Sequence, residues 1–254
     1  MFNNRIIALR KTHFFKIHKE ALTFLYMLSR YGETVIFGGF LRNLSLEQTK
    51  FFSSDIDIVI KTKEREQVIS FLKNYNSIQN KFGGYRILNK TELNYDIWFL
   101  EDTWAFRKKI IKYSPDFNTL PLTTFFSIDS ILYQTKYNKI IMTDQCAQDL
   151  CTKTLDIELE ECSNEISAFV RSIYLSNMFN LNIGSKLFYF IKSSVKHVNM
   201  DDIINYSIKK YGVHSCFSRR NIEYIFNIID MKKQFSDLFD KKFMINQLNL
   251  PLKN

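Results

Sequence analysis

Apolar residues recur at helical spacing through Phe14, Ile17, Ala21, Phe24, Leu25 and Leu28, which predicts a helix over 13–30. The short apolar run Val35-Ile36-Phe37 then reads as a strand, ended by Gly38-Gly39, with a helix beginning over 40–46 beyond the turn. In Ser53-Ser54-Asp55-Ile56-Asp57-Ile58-Val59-Ile60 the pattern has period two. A strand over 56–60 puts Ile56, Ile58 and Ile60 on one face and Asp55 and Asp57 together on the other. A helix over 63–74 turns Val68, Ile69 and Leu72 to the sheet, and Gly83-Gly84 marks a turn. Strands over 85–88 and 93–100 form a hairpin across 89–92. A helix over 104–111, a Pro-bounded loop to Pro121, the apolar stretch 125–133 and a short strand over 139–142 follow.

The pattern changes near residue 150. Helical periodicity runs through 165–180, 186–195, 200–211 and 219–239, and strand alternation is absent from this half. The expected fold class is α+β. A head domain over 1–150, with a mixed sheet and flanking helices, leads into an all-helical part over 151–254, with no Ser/Gly/Pro-rich linker between them. There is no internal repeat and no low-complexity tract.

Composition narrows the class. Of 254 residues 46% are hydrophobic, enough for a buried core, which excludes a globally disordered chain. No stretch approaches the roughly 20 apolar residues of a membrane span. Met1-Phe2-Asn3-Asn4-Arg5 opens no signal peptide, and Cys146, Cys151, Cys162 and Cys216 fit no zinc spacing. A cytoplasmic protein with free thiols is expected. Lys and Arg outnumber Asp and Glu by 35 to 26, a net charge of +9 that favours a polyanionic partner, nucleic acid first. Lys192, Lys196, Lys209, Lys210, Arg219 and Arg220 supply a candidate basic helical face; a merely solvated surface would look the same.

The candidate chemistry rests on carboxylates. Asp55 and Asp57 on one strand face suit a hard divalent cation, Mg²⁺ or Mn²⁺, with positions left for phosphate oxygens. Asp96, in Leu93-Asn94-Tyr95-Asp96-Ile97-Trp98-Phe99, joins them if its strand pairs beside 56–60. Gly38 and Gly39 supply a turn whose backbone can approach a triphosphate closely. An acidic outer face of an edge strand would give the same Asp-x-Asp, and a plain structural turn the same glycines. The chain has no P-loop and no Gly-x-Ser-x-Gly elbow, and His13, His18, His197 and His214 have no ligand spacing.

Gly38-Gly39-Phe40-Leu41-Arg42-Asn43-Leu44 followed by Ser54-Asp55-Ile56-Asp57 resembles the opening of the tRNA CCA-adding enzyme and bacterial poly(A) polymerase family, within the polymerase-β-like nucleotidyltransferases. Its pattern there is Gly-Gly-x-Val-Arg-Asp, then Asp-x-Asp. Phe126-Ser127-Ile128-Asp129-Ser130-Ile131-Leu132-Tyr133 resembles the family's Phe-Thr-Ile-Asn-Ala-Leu-Ala-Tyr segment. Ile140-Ile141-Met142-Thr143-Asp144 with Gln148-Asp149-Leu150 resembles its Ile-x-Asp-Pro element, and 171–183 its first neck helix. The resemblance spans about residues 20–185 in order.

The resemblance implies a metal-dependent enzyme that moves a nucleoside monophosphate from a nucleoside triphosphate, ATP among them, to an RNA 3′ end, with tRNA the favoured acceptor. Asp55, Asp57 and Asp96 would be catalytic metal ligands, and Gly38, Gly39, Arg42, Asn43, Asp129 and Arg171 would lie at the nucleotide. Departures accompany it. Asn43 stands where the family has Asp, and Thr123-Thr124-Phe125 where it has Arg-Arg-Asp. Ala168, near the base-reading Glu-Asp-x-x-Arg neck motif, cannot pair with a base edge. The body and tail that hold tRNA in the family are expected to be short or missing, so that a homodimer or protein partner would supply surface. Two alternatives stay open: transfer to a protein or into a small nucleotide product, and a fold kept for RNA or protein binding without catalysis.

Overall fold

Strand-forming residues fill the segments that pair in the first of two units, Met1–Leu150 and Cys151–Asn254. The computed structural model describes residues 19–46, 55–88 and 93–231. Expectations for 13–18, Ser53, Ser54, the hairpin connection 89–92 and 232–239 lie outside the described residues, as do His13 and His18.

The first unit holds β1 (Glu33–Phe37), β2 (Ile56–Lys61), β3 (Ile78–Gln79), β4 (Tyr85–Ile87), β5 (Tyr95–Phe99), β6 (Ile131–Gln134) and β7 (Lys139–Met142). They make one seven-stranded sheet in the order β3-β4-β5-β2-β1-β6-β7. The pair β2–β5 is parallel and every other pair antiparallel, so the sheet is mixed. The 93–100 strand thus lies directly beside 56–60, with Asp57 opposite Asp96.

Period two divides the sheet into two faces. Ile36, Ile58 and Ile97 share one face, where Tyr95 stacks on Phe24 of α1 (Lys19–Leu28) with ring centroids 4.6 Å apart. The helix α2 (Gly39–Ser45) packs on β1, β2 and β6. In α3 (Arg65–Lys73), Val68, Phe71 and Leu72 are buried. Phe71 takes the inward place expected for Ile69, which is only half-buried. On the second face Val35, Val59 and Leu132 form a core with Leu100, Phe106, Phe117 and Leu120. Each such burial is worth about 1.5–3 kcal/mol. The helix expected over 104–111 is a single turn, α4 (Trp104–Arg107). The helix α5 (Asp144–Thr152) was not anticipated.

The second unit contains α6 (Glu165–Phe179), α7 (Ser185–Ser194), α8 (Met200–Tyr211) and α9 (Arg219–Met231). Two-residue strands β8 (Thr154–Leu155) and β9 (Asn182–Ile183) pair in parallel, a correction to the all-helical expectation. The helix ends follow local chemistry. Asn164 Oδ1 accepts from the Ser167 amide at 2.7 Å, and Asn199 Oδ1 from the Asp201 amide at 2.8 Å. Asp156 Oδ1 accepts from the Leu187 amide at 2.8 Å in the first turn of α7. Tyr174 and Tyr211 stack at 3.9 Å, joining α6 to α8.

Glu165 carries a pH prediction. Its carboxyl lies below the usual carboxylate range, chiefly because the Ser194 hydroxyl donates to it at 2.7 Å, with His197 Nε2 adding a contact at 2.9 Å against the cost of burial. A lowered folded value means stability that is present above the unfolded pKa of about 4.3 and is lost as pH falls through the folded value. Glu165→Gln is therefore expected to flatten the acid limb of a melting-temperature profile below about pH 4.5. An unchanged acid limb would refute this link.

Candidate active site

The sheet brings distant residues to one end. β1 finishes at Phe37, which pairs with Asp57 near the start of β2, and Asp57 pairs with Asp96 near the start of β5. Phe37 also pairs with Leu132 of β6. The end of one strand and the beginnings of three others therefore meet around Gly38, Asp57 and Asp96.

Gly38 turns the chain from β1 into α2. Its φ of 71° and ψ of −128° suit glycine and strain a side chain. Its amide donates to the Ile131 carbonyl at 2.9 Å, and its carbonyl accepts from the Leu41 amide at 3.0 Å. A methyl group there would meet nothing closer than 3.9 Å, so the constraint is conformational. Gly38→Ala is expected to cost about 1–3 kcal/mol in a urea titration. At Gly39 a methyl group would come within 3.3 Å of the Arg42 guanidinium.

Asp55 and Asp57 flank Ile56, and both are half-buried. Asp55 Oδ1 accepts from Asn94 Nδ2 at 3.1 Å, and Asp55 Oδ2 from Arg86 Nη2 at 3.2 Å. Asp96 is buried, with its side chain 9% exposed. Arg86 Nε donates to Asp96 Oδ1 at 2.7 Å, and Arg86 Nη2 donates to Asp96 Oδ2. Arg86 sits on β4 opposite Asp96, so alternation carries its side chain to the carboxylate face. Its pKa is raised above the usual guanidinium value, first by the hydrogen bond to Asp96. Burial opposes the rise, and the charges of Asp96, Asp55 and Asp57 add to it.

The other expected residues are placed as follows. Arg42 is buried and its Nη1 pairs with Asp129 Oδ1; Asp129 is buried too. Asn43 Oδ1 accepts from Arg42 Nε at 3.2 Å and from Arg42 Nη2 at 3.0 Å. These three therefore form one polar cluster beside the glycine turn, with Arg42 and Asp129 buried and Asn43 half-buried. Arg171 lies half-buried on α6, in the second unit. Asp149 is buried and accepts from the Ser127 hydroxyl at 2.5 Å and from Gln145 Nε2 at 2.9 Å. Ala168 is buried, and none of the four cysteines is in a disulfide. Of the basic face, Lys196, Lys209, Lys210 and Arg220 are exposed, Lys192 is half-buried and Arg219 pairs with Asp201.

Arg86 and Asn94 are the residues the sequence pattern does not single out. A signal existed: in a hairpin of 85–88 with 93–100, Arg86 and Asp96 share a face. The donor set, two carboxylates on one strand face, suits a hard cation. Asp96 gives both oxygens to Arg86, and among the described residues no three His, Cys, Asp or Glu side chains converge as metal ligands. Among the described residues no helix is long and apolar enough to cross a membrane.

No protein-family model matches the chain, and no curated protein matches it by sequence. Solved structures do. The Thermotoga maritima CCA-adding enzyme complexed with tRNA superposes with a TM-score of 0.58 at 16% identity, over 83% of this chain and 51% of that one. A CCA-adding enzyme in complex with ATP gives 0.60 at 16% identity, over 84% and 52%. A tRNA nucleotidyltransferase complexed with a primer tRNA and an incoming ATP analogue gives 0.55 at 15% identity, over 78% and 57%. The chain spans about half the length of the solved structures it matches. The likeness shows the fold that the chain shares with these CCA-adding enzymes: an α+β head with a mixed sheet, followed by a mainly helical part.

Proposed function

We propose that this chain is a metal-dependent nucleotidyltransferase that moves a nucleoside monophosphate from a nucleoside triphosphate to an RNA 3′ end, releasing pyrophosphate. The observation that carries the reading is the end of the sheet where the Gly38 turn, Asp57 and Asp96 are held in register, within a fold shared with CCA-adding enzymes. tRNA is the favoured acceptor, because the similar structures include complexes with tRNA and the net charge is +9. The 1–150 unit is the catalytic head and 151–254 the neck-like part.

Asp55 and Asp57 would hold the cation, Mg²⁺ or Mn²⁺. When bound, it lowers the pKa of the attacking hydroxyl and neutralises charge developing on phosphate oxygens. The chain's own residues position the reactants. The glycine turn lets backbone lie against the triphosphate without side-chain obstruction. Arg42, held by Asp129 and Asn43, fixes the first turn of α2 beneath that backbone. Phosphoryl transfer depends mainly on positioning and charge, which this arrangement supplies.

The test is to incubate the protein with Mg²⁺, total RNA and each labelled nucleoside triphosphate in turn. Label entering RNA would support the reading and name the base. Label entering protein or a small product instead would overturn the choice of acceptor, and transfer to nothing would favour a binding role.

A further inference from the structure

The carboxylate end of the sheet already contains a cation. Arg86 reaches across from β4 and bonds two of the three aspartates at once, Asp96 through Nε and Nη2 and Asp55 through Nη2. It is not tucked away: its side chain is 46% exposed, against 9% for Asp96. Asp96 is thus the buried anchor, and the guanidinium extends from it toward the half-buried Asp55.

A fork with fixed donor geometry suits this task, since one plane of N–H groups can satisfy a carboxylate bidentately and still reach a second. Carboxylates at the neighbouring starts of β2 and β5 repel one another, and a nearby positive charge offsets that repulsion. Asn94, two residues before Asp96, donates to the other oxygen of Asp55 and holds that side chain facing Arg86.

We propose that Arg86 is a built-in counter-cation of this site. It occupies Asp55 and Asp96 when no metal is bound, and the metal must take Asp55 from it. Asp96 acts as the anchor of Arg86, a positioning role, and metal affinity is set by the exchange at Asp55. This rests on the reading of Asp55 and Asp57 as the metal ligands. The guanidinium thereby offsets part of the carboxylates' charge, and the site loads only at metal concentrations sufficient to displace it from Asp55.

The experiment is a titration with Mn²⁺ alone, following the free-ion signal by electron paramagnetic resonance, on the full chain and on Arg86→Gln, Arg86→Lys and Asp57→Asn. Removing a unit positive charge a few ångströms from the ligand oxygens is expected to tighten Mn²⁺ binding by about tenfold or more in Arg86→Gln. Arg86→Lys keeps the charge but loses the fork, and is expected to fall between the two. Circular dichroism melts of each variant establish that it is folded. Mn²⁺ binding that depends on Asp57 yet is unchanged or weakened in Arg86→Gln would overturn the counter-cation and leave the metal reading standing. Binding indifferent to Asp57→Asn, or absent from both the parent chain and Arg86→Gln, would overturn the metal reading and the inference with it.

Discussion

Replacing Asp55 and Asp57 together with alanine is expected to lower nucleotide incorporation by roughly 10³-fold or more while leaving the fold in place. The size follows from the role. Charge stabilisation by a bound cation is worth several kcal/mol in a phosphoryl transfer, and each 1.36 kcal/mol of barrier is about tenfold in rate. Retention of the fold follows from placement. Both side chains are half-buried at the start of the central strand, so their loss removes charge and little packed volume. Arg86 keeps its stronger contact, the paired hydrogen bonds to Asp96. The check is labelled-nucleotide transfer beside a thermal melt. Transfer surviving in a double variant that melts normally would sink the assignment of the site.

The second large effect concerns stability. Asp129→Ala is expected to cost about 3–5 kcal/mol, because it strips the carboxylate partner from a guanidinium that stays buried. For a chain of this size that corresponds to a melting temperature lower by on the order of 10 °C. Asp129→Asn, which still offers an acceptor oxygen, is expected to cost less. The Asn43 amide oxygen at 3.0 Å cannot replace a full charge. If instead Asp129 served only the nucleotide, Asp129→Ala would melt normally and raise the KM for the triphosphate.

The parts of this molecule visible in sequence are those where a period repeats long enough to be read. The alternation at 56–60 sets Asp57 on the face opposite Ile56, Ile58 and Ile60, all three of which are buried. The helix over 200–211 matches α8 at both ends, where Asn199 caps it and Gly212 ends it at φ 72°. The 104–111 helix is overcounted because its stop carries no glycine. Lys109 takes the left-handed conformation at φ 55°, and the Ile110 amide returns to the Ala105 carbonyl at 3.0 Å. Strands of two residues, such as β8 and β9, have no period at all. The Arg42–Asp129 pair joins residues 87 apart, so no local pattern announces it. Arg86 lies between these extremes, since its place follows only once the hairpin register is known.

The parallel pairing of β2 with β5 has a consequence for synthesis. Parallel neighbours cannot be joined by a tight turn, so α3, β3 and β4 all lie in the connection between them. A growing chain that has just emerged as far as Lys61 already contains the Asp-x-Asp pair, yet it has neither Asp96 nor the Arg86 that bonds Asp55. The Gly38 turn waits longer still, because its amide bonds to Ile131. The proposed site is therefore completed late, once the polypeptide has passed into β6. Incomplete products of translation would carry the Asp-x-Asp motif without the residues that surround it in the folded sheet.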